Sequence, residues 1–541
     1  MQQSRLVIKR SISIAVTLVF LLVSISACTE SVSAASKLKV SVTRKTIYVG
    51  QTAKVKANRN VKWSVSKKKV VKLTNKKKRT VTVKGLKAGT VYVKAKCGKR
   101  TKKIKITVRS RVPKKINLAT TADVLGVGEY CTVSVKSVTP SYASSDVKFT
   151  SSDDSVASVN EVGFVAALKP GTATITVASA KNPKKKSSVT ITVVDARAGT
   201  LSVAIDMTDA EKYPAGKTVR AWFQVPVSDE NQNITNVKHK ADSAVIDDIF
   251  TDSSGAQAYY IEWGPNTEPE DRKASLSFHI YRRAVLHGDD LRSMESGTAD
   301  PDIIEKWVKP TAYSGSLTSG IVKDTADKIV KDAGAETVYD EAHAIYLWIC
   351  DNISRDASMP DRELGDVVKI LSSKEKVAGS CIDINSIFVA LCNARGIPAR
   401  ESFGYKIYED PSKLGQNCRA EFYLPGYGWV EVDPAMPLGR VMRGLVTKED
   451  TATWESVKDM YWTSGSPDWI CQNHGRDLTF EEPADMNAAS GYMVNEDGTL
   501  NHFMFPHAEY DGQYVPGWGN YSSEFKYTYS FEAEDPLDCG C

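Results

Sequence analysis

The 541-residue chain has no acidic residue between Lys37 and Val112, a stretch that contains 27 lysines and arginines. The overall net charge of +7 therefore hides a division, because residues 113–541 sum to −22. A field of one sign attracts polymers of the opposite sign. We expect residues 37–112 to contact an anionic cell-wall polymer or a membrane surface. The alternative is a solvated face with no partner; no nucleic-acid-binding motif accompanies the charge, so nucleic acid is not expected.

After residue 28, the sequence lacks any stretch that is long and apolar enough to span a bilayer. The N-terminus has three basic residues, then an apolar run over residues 12–25, which is typical of an export signal. The segment Ile-Ser-Ala-Cys ends at Cys28 and resembles the lipobox of bacterial lipoproteins. This resemblance implies a lipoprotein signal peptide over residues 1–28, lipidation of Cys28 and anchoring to the outer face of the bacterial cell membrane. Cleavage within residues 32–35 is the alternative, and it would release a secreted protein.

Paired CxxC motifs of the zinc type are also absent, although the chain has ten cysteines. The sequence shows no phosphate-binding loop, metal-ligand cluster or dinucleotide fingerprint, so we expect no metal and no cofactor. The terminal Cys539 and Cys541 are more simply structural or unpaired thiols than ligands. Cysteines other than Cys28 and Cys381 can pair in an exported protein, in an order that the sequence does not reveal.

Residues 38–110 and 113–194 are two copies of one module. The segment VKGLKAGTVYV of the first copy matches VAALKPGTATI of the second, and KIKITV matches SVTITV. Both copies have short alternating segments rich in Val, Thr and Ile, which predict small β-sandwiches. They resemble bacterial immunoglobulin-like domains of group 2, which implies spacing or adhesion. We place these domains at residues 37–112 and 113–196.

The second half of the chain changes from strand to helix periodicity. Residues 198–290 keep a β-like alternation, and helical spacing begins near Ile303. His343 lies one turn before the apolar face of a predicted helix begins to repeat, and we interpret it as a helix-surface residue. The segment GSCIDINSIFVALCNARGIPARESFGY predicts a second helix that ends at Gly396. Cys381 then lies at the helix N-terminus, where free N–H groups and the macrodipole stabilise a thiolate, as a nucleophilic cysteine requires.

The order G-x-C, amphipathic helix, G-I-P-A-R, aromatic strand and YGWVEVDP resembles the transglutaminase-like superfamily, which has a papain-like α/β core. The resemblance covers roughly residues 335–440 and extends more weakly to the preceding β-domain and to the C-terminal segments. It implies that Cys381 is the nucleophile that attacks an amide or thioester carbonyl. A histidine on the next strand would move the proton, and Asp433 would orient that histidine.

The histidine is missing, because the family's histidine position falls on Asn417. No histidine occurs between His343 and His474, so a small alignment slip does not restore it. Asparagine has no titratable nitrogen. We therefore expect impaired or absent catalysis and a Cys381 that reacts like an unassisted thiol. His474 or His507 would have to fold back to replace the base, and packing or surface coverage is the simpler role for both.

The predicted fold is multidomain: all-β immunoglobulin-like sandwiches, then an α+β transglutaminase-like core at residues 300–440 and a β-rich C-terminal extension at 441–541. Two functions fit this architecture. The first is a surface-anchored protein built for Cys-based acyl transfer or amide and peptide hydrolysis, now a pseudoenzyme or a weak enzyme. The second is a non-catalytic cell-surface protein that binds a peptide or wall fragment. Substrate and oligomeric state are not indicated by the sequence.

Overall fold

The computed structural model describes residues 37–286, 290–356, 358, 363–373, 377–407, 415–482, 494–516 and 524–534. The signal segment with Cys28, and the terminal Cys539 and Cys541, lie outside the described residues. The chain divides into two compact units, Met1–Arg111 and Val112–Cys541, which are described separately. No helix of the described residues has the length and apolar content needed to cross a membrane.

Residues 37–111, called module 1, form two four-stranded sheets. The strands are β1 Val40–Val42, β2 Thr46–Tyr48, β3 Thr52–Ala57, β4 Lys62–Val65, β5 Val71–Thr74, β6 Thr80–Gly85, β7 Gly89–Cys97 and β8 Arg100–Arg109. The sheet orders are β1-β3-β6-β5 and β2-β8-β7-β4. Strand β3 shows why the sequence folds this way, since Ala53, Val55 and Ala57 are buried while the lysines between them are exposed. The alternation gives the module an aliphatic core under a cationic surface.

Residues 113–194, called module 2, repeat this topology strand for strand. The strands are β9 Lys115–Thr120, β10 Val124–Gly126, β11 Tyr130–Thr139, β12 Val147–Thr150, β13 Ala157–Val159, β14 Phe164–Ala167, β15 Gly171–Ser179 and β16 Asn182–Val194. Their sheets are β13-β14-β11-β9 and β10-β16-β15-β12. Each strand occupies the place of the strand eight numbers earlier in module 1. The internal repeat predicted from the sequence is therefore present in the fold.

A β-domain follows, and the C-terminal strands complete it. Its strands are β17 Ala196–Asp206, β18 Val219–Val225, β19 Gln232–Ala241, β20 Ile246–Thr251, β21 Gln257–Trp263, β22 Lys273–Arg283 and β23 Val285–Leu286. Later in the chain come β24 Ser354–Arg355, β25 Ala378–Gly379, β26 Ala399–Lys406, β27 Gly415–Leu424, β28 Gly428–Val432, β29 Ser464–Gly465, β30 Trp469–His474, β31 His507–Tyr510, β32 Gln513–Tyr514 and β33 Lys526–Glu534. The two sheets of the β-domain run β19-β22-β17-β33 and β20-β21-β18-β31-β32.

The α/β core places one buried helix against a four-stranded antiparallel sheet. Its helices are α1 Asp290–Met294, α2 Pro301–Trp307, α3 Gly320–Ala333, α4 Val338–Asn352, α5 Val367–Leu371, α6 Cys381–Ala394, α7 Ala435–Met442 and α8 Thr451–Tyr461. The sheet order is β28-β27-β26-β30. Helix α6 is buried along its whole length, and it ends before Gly396, whose φ of 80° is left-handed as the sequence predicts.

The C-terminal segment differs from the expected β-rich extension in how it is used. Residues 451–461 are helical, strand β30 joins the core sheet, and strands β31 to β33 join the β-domain. The segment therefore completes two sheets that begin elsewhere in the chain. Sequence periodicity does not reveal such pairing, because it reports the exposure of a strand and not its partner.

Module 2 packs directly against the α/β core. Glu129 is buried and forms an ion pair with Lys406, and its second oxygen lies 3.9 Å from Arg419. The Tyr130 ring lies 3.4 Å from the guanidinium carbon of Arg440. The Gly126 N–H donates to Asp468 Oδ2 at 2.8 Å. A charged side chain of the module thus sits among three buried cations of the core.

Candidate active site

Cys381 is the first residue of helix α6, and its side chain is 6% exposed. The backbone before it is held by Asp383, whose Oδ2 accepts from the Ser380 N–H at 2.7 Å. The Asp383 carboxylate also accepts from the N–H groups of Gly365 at 2.9 Å and Glu363 at 3.3 Å. These bonds fix the segment 363–365 beside the start of the helix. The placement of Cys381 at a helix N-terminus is as the sequence predicts.

A second cysteine, Cys418 of β27, shares a hydrogen-bond partner with Cys381. The Asn385 amide nitrogen on the next turn of α6 donates to Cys381 O at 3.0 Å, Cys418 O at 3.1 Å and Cys418 Sγ at 3.3 Å. One Asn385 side chain therefore ties both cysteines together where helix α6 meets strand β27. Cys418 is a site residue that its sequence pattern does not predict, and its position beside Asn417 is the available signal.

The surroundings of Cys381 favour its thiolate. A hydrogen bond from the Cys418 thiol lowers the pKa of Cys381 to about 6, and the positive charge of Arg355 acts in the same direction. Burial and Asp383 oppose this shift. Burial raises the pKa of Cys418 well above its usual range, so Cys418 is the thiol that keeps its proton. Cys418 and Arg355 thus favour the anion without an imidazole, and the slow reactivity expected of an unassisted Cys381 stays a prediction.

Asp433 lies in the same cluster and is 1% exposed. Its Oδ1 accepts from the N–H groups of Ala435 at 3.1 Å and Met436 at 3.0 Å, which caps helix α7. Its Oδ2 is buried and has no hydrogen-bond partner among the described residues. Burial raises the pKa of Asp433 to about 6, against the charges of Arg419 and Arg355. The charge of Cys381 acts on Asp433, and one oxygen of the Asp433 carboxylate has no hydrogen-bond partner among the described residues.

Asn417 does not join this cluster through any hydrogen bond among the described residues. It pairs with Gly404 on β26, and successive strand residues point to opposite faces, so its side chain points away from the face that carries Cys418. Its Oδ1 is buried and has no partner within the part of the chain that the structure describes. The assignment of residue 417 to the family's histidine position stays a prediction.

Two histidines considered as replacement bases have other partners. His474 Nδ1 lies 3.0 Å from Ser402 Oγ, and its Nε2 lies 3.5 Å from Cys471 Sγ. Burial and the charge of Arg400 hold the pKa of His474 well below its usual range. His507 Nε2 lies 3.0 Å from Glu509 Oε1 within the β-domain sheet. Neither ring has a described contact with Cys381.

The structure instead brings His502 toward the cluster. Its ring centroid lies 5.7 Å from that of Phe403, the residue paired with Cys418, and it packs beside the backbone of Glu363. Burial lowers the pKa of His502 to about 3, so the ring is neutral and a poor base. His343 is also less exposed than predicted, because its ring stacks on Trp462 at 4.6 Å. No sequence pattern distinguishes these two positions from surface histidines.

Glu363 is another titratable group near Cys381. The Ser380 hydroxyl donates to Glu363 Oε2 at 3.0 Å. Burial, together with the negative charges of Cys381 and Asp383, raises the pKa of Glu363 to about 8. At neutral pH the site therefore combines a cysteine thiolate with a protonated carboxyl group. That is the pair that a nucleophile and a proton donor require.

These elements form an α/β core in which Cys381 begins the buried helix. Residues 323–434 match the transglutaminase-like superfamily, and residues 116–190 match the bacterial Ig-like domain (group 2). An uncharacterized protein of Haemophilus influenzae is 30% identical over 335 residues, or 57% of this chain and 84% of that protein. The chain belongs to the same family as that protein, and its core is transglutaminase-like.

Two solved structures are similar to parts of the chain. A candidate cysteine protease from Cytophaga hutchinsonii is 18% identical, covering 63% of this chain and 99% of that chain, with a TM-score of 0.34. The periplasmic domain of TgpA from Pseudomonas aeruginosa is 14% identical, covering 47% of this chain and 91% of that chain, with a TM-score of 0.26.

Proposed function

We propose that the protein performs acyl transfer or hydrolysis on peptide amides through a thioester at Cys381. One observation carries this proposal: Cys381 begins helix α6, and the Cys418 thiol and the charge of Arg355 lower its pKa to about 6. Such a thiolate is already formed at neutral pH and attacks a carbonyl without prior deprotonation. The acyl group then passes to water or to an amine.

Glu363 fits the role of proton donor in this reaction. When the tetrahedral intermediate collapses, the leaving amine needs a proton, and Cys381 has none to give. The Glu363 carboxyl group is held by Ser380, the neighbour of the nucleophile in the chain, and its pKa of about 8 keeps it protonated at neutral pH. The group is then reset when it takes a proton from the water or amine that resolves the thioester.

We propose that the reaction is slower than in a Cys–His enzyme. A positioned imidazole contributes on the order of 10² to 10⁴ in rate, and none contacts Cys381 among the described residues. The unpartnered Oδ2 of Asp433 supports this view, because an imidazole N–H would satisfy that oxygen.

Active-site acylation by a nitrophenyl ester tests the proposal. We expect a burst of nitrophenolate that matches one acyl group on Cys381, located by mass spectrometry of the digested protein. Cys381→Ser should remove the burst. Cys392→Ser is the matched control, since Cys392 is another fully buried cysteine of helix α6 and should leave the burst intact. A wild-type protein that is acylated only at other residues would contradict the proposal.

Asn417→His tests the assignment of position 417. If the new imidazole lies between Cys381 and Asp433, we expect the acylation rate to rise by about 10² or more. Asn417→Gln supplies a side chain of similar reach without a titratable nitrogen and should leave the rate unchanged. Equal rates for both variants would show that residue 417 does not face the nucleophile, as the strand alternation at Gly404 suggests.

A non-catalytic peptide-binding protein is the second candidate, because Cys381 is only 6% exposed. The two functions predict different results for one substitution. Cys381→Ser preserves the shape of the site, so a binding protein should keep its affinity for a peptide library while an enzyme loses turnover. Retained binding with no acylation of the wild type would favour the second candidate.

We also propose that module 1 binds an anionic, phosphate-bearing polymer outside the cytoplasm. An open groove of about 760 Å³ on this module is lined by Lys37, Leu38, Lys39, Val40, Ser41, Lys56, Ala57, Asn58 and Lys102. Four lysines and no acid in one groove create a positive field that favours phosphate groups. Binding of the full chain to poly(glycerol phosphate) and to vesicles rich in phosphatidylglycerol distinguishes a wall polymer from a lipid surface. Replacement of Lys39, Lys56 and Lys102 by Ser should weaken the binding.

Lipid anchoring through Cys28 is the remaining part of the proposed function. It rests on the apolar segment and the Ile-Ser-Ala-Cys motif. We expect the full chain expressed in a bacterium to partition with the membrane fraction, and Cys28→Ser to release the chain from that fraction. A wild-type protein that is found entirely in the medium would indicate cleavage after residue 28.

A further inference from the structure

Cys381 and Cys418 form an arrangement that also allows a reaction other than acyl transfer. The first belongs to the start of α6 and the second to the middle of the core sheet, so 37 positions of sequence separate them. The Asn385 amide nitrogen is nevertheless within 3.0 Å and 3.1 Å of their two carbonyl oxygens, and it donates to Cys418 Sγ as well. This side chain holds the two cysteines together in the absence of any covalent bond.

The two thiols are also chemically unequal. The hydrogen bond between them and the charge of Arg355 favour the anion on Cys381, whereas Cys418 stays protonated in its apolar surroundings. A thiolate is the form that reacts with peroxide, and a neighbouring thiol is what resolves the product. Cys350, Cys392 and Cys471 are equally buried but have their pKa raised by burial. Only the Cys381 position among these therefore offers a reactive anion.

We propose that Cys381 and Cys418 are a redox-active pair that closes to a disulfide when the protein meets hydrogen peroxide or a related peroxide. The Cys381 thiolate attacks one peroxide oxygen and becomes a sulfenic acid, and the O–O bond breaks to release hydroxide, which takes up a proton as water. The Cys418 sulfur then attacks the sulfenic sulfur, the S–O bond breaks, and the hydroxide that leaves takes the Cys418 proton. Two thiols and one peroxide thus give one disulfide and two waters.

Disulfide formation by this pair is a reaction separate from the proposed acyl transfer, and it has its own consequences. A disulfide removes the nucleophile, so oxidation reversibly switches off any acylation at Cys381. It also protects Cys381, because a sulfenic acid without a resolving thiol proceeds to sulfinic acid, which common thiol reductants do not reverse. The pairing chemistry is expected even if the protein has no acyl-transfer activity.

Peptide mapping of the oxidised protein tests the proposal. The folded, reduced full chain is treated with a small excess of hydrogen peroxide, alkylated and digested without reductant. We expect a cross-linked peptide that joins residues 381 and 418, loss of iodoacetamide labelling at Cys381, and full return of that labelling after dithiothreitol. A wild-type protein in which Cys381 becomes sulfinic acid with no cross-link would overturn the proposal, as would a Cys381 that stays reduced while other cysteines oxidise.

Two variants make the test specific. In Cys418→Ser, peroxide should convert Cys381 to sulfinic acid that dithiothreitol does not reverse. Cys392→Ser should give the same cross-link as the wild type, because Cys392 is buried on the same helix away from the pair. If Cys418→Ser does not fold, the wild-type cross-link still decides the outcome. Loss of ester acylation after peroxide, with no cross-link, would count against the pair and leave the acyl-transfer proposal intact.

Discussion

Modules 1 and 2 have the same strand order in both sheets but use it for different purposes. Module 1 has no acidic residue, and its lysines alternate with buried aliphatic side chains, so its exposed positions carry one sign of charge. Module 2 places Glu129 and Tyr130 at the start of β11, where both contact cations of the α/β core. The shared β-sandwich scaffold therefore does not determine what either module contacts. Side chains at a few positions decide whether it presents charge or supports another domain.

Among substitutions that test this difference between the modules, a change at Glu129 should alter the free energy of unfolding most. Glu129→Gln removes the counter-charge of Lys406 and Arg419, which are both buried, and should lower the free energy of unfolding by about 3–5 kcal/mol. Denaturant titration of the full chain, followed by the fluorescence of the core tryptophans, measures this change. Asp146→Asn is the control within module 2, because its pair with Lys181 is solvent-exposed and should change stability by less than about 1 kcal/mol.

Tyr130 should give the next largest effect. Its ring covers the guanidinium of the fully buried Arg440 and stacks on Phe164 at 5.4 Å. Tyr130→Leu keeps apolar volume but removes the ring face, and we expect a loss of about 2 kcal/mol in stability from the desolvated cation–π contact. Tyr130→Phe keeps the ring and should retain most of that stability. A similar loss in both variants would point to the hydroxyl group, which accepts from Arg443 at 2.9 Å.

The pH dependence of stability should also follow Glu129. Lys406 and Arg419 hold the pKa of Glu129 below its usual value of 4.5, against the opposing effect of burial. Its folded pKa is therefore lower than its unfolded pKa, so its contribution is complete above about pH 4.5 and is lost as the pH falls through the folded value. Acid titration should show a shallower loss of stability in Glu129→Gln. A parallel loss in wild type and variant would assign acid unfolding to other carboxyl groups.

The smallest effect is expected for single charges in module 1. One lysine among 27 basic residues contributes little to a summed field, so Lys102→Ser alone should weaken polyanion binding by less than about threefold. Added salt should weaken binding of the wild type far more, because screening acts on all charges at once. Polyanion binding that is lost on substitution of one lysine but is unaffected by added salt would indicate a specific pocket. Module 1 would then resemble module 2, in which a few side chains make specific contacts.

The sequence predicted the parts of this molecule that depend on local pattern. The period-two alternation in the modules, the start of α6 at Cys381 and the left-handed Gly396 are all present in the structure. The site was predicted only in part. Cys381 begins its helix as predicted and the roles of Cys381 and Asp433 stay predictions, whereas Arg355, Glu363 and Cys418 come from segments whose pattern does not mark them.

Those omissions have a common physical origin. The surroundings of Cys381 are assembled by the hydrogen bonds of Asp383 and Asn385, which join segments far apart in the chain. No property of a single segment encodes such a contact. The burial of His502 and the ion pair of Glu129 were missed for the same reason, since each depends on a partner that the local sequence does not contain.

Strand β17 has neighbours from both ends of the second unit, because β22 precedes the core in sequence and β33 follows it. The sheet that contains residues 196–206 is therefore complete only after residues 526–534 have paired with them. Contacts with such long sequence separation form slowly and close large loops. A chain synthesised from the N-terminus can fold modules 1 and 2 early, but the β-domain stays open until residues 526–534 emerge. Chains that stop before residue 526 should therefore expose the unpaired edge of β17 and be prone to aggregation or degradation.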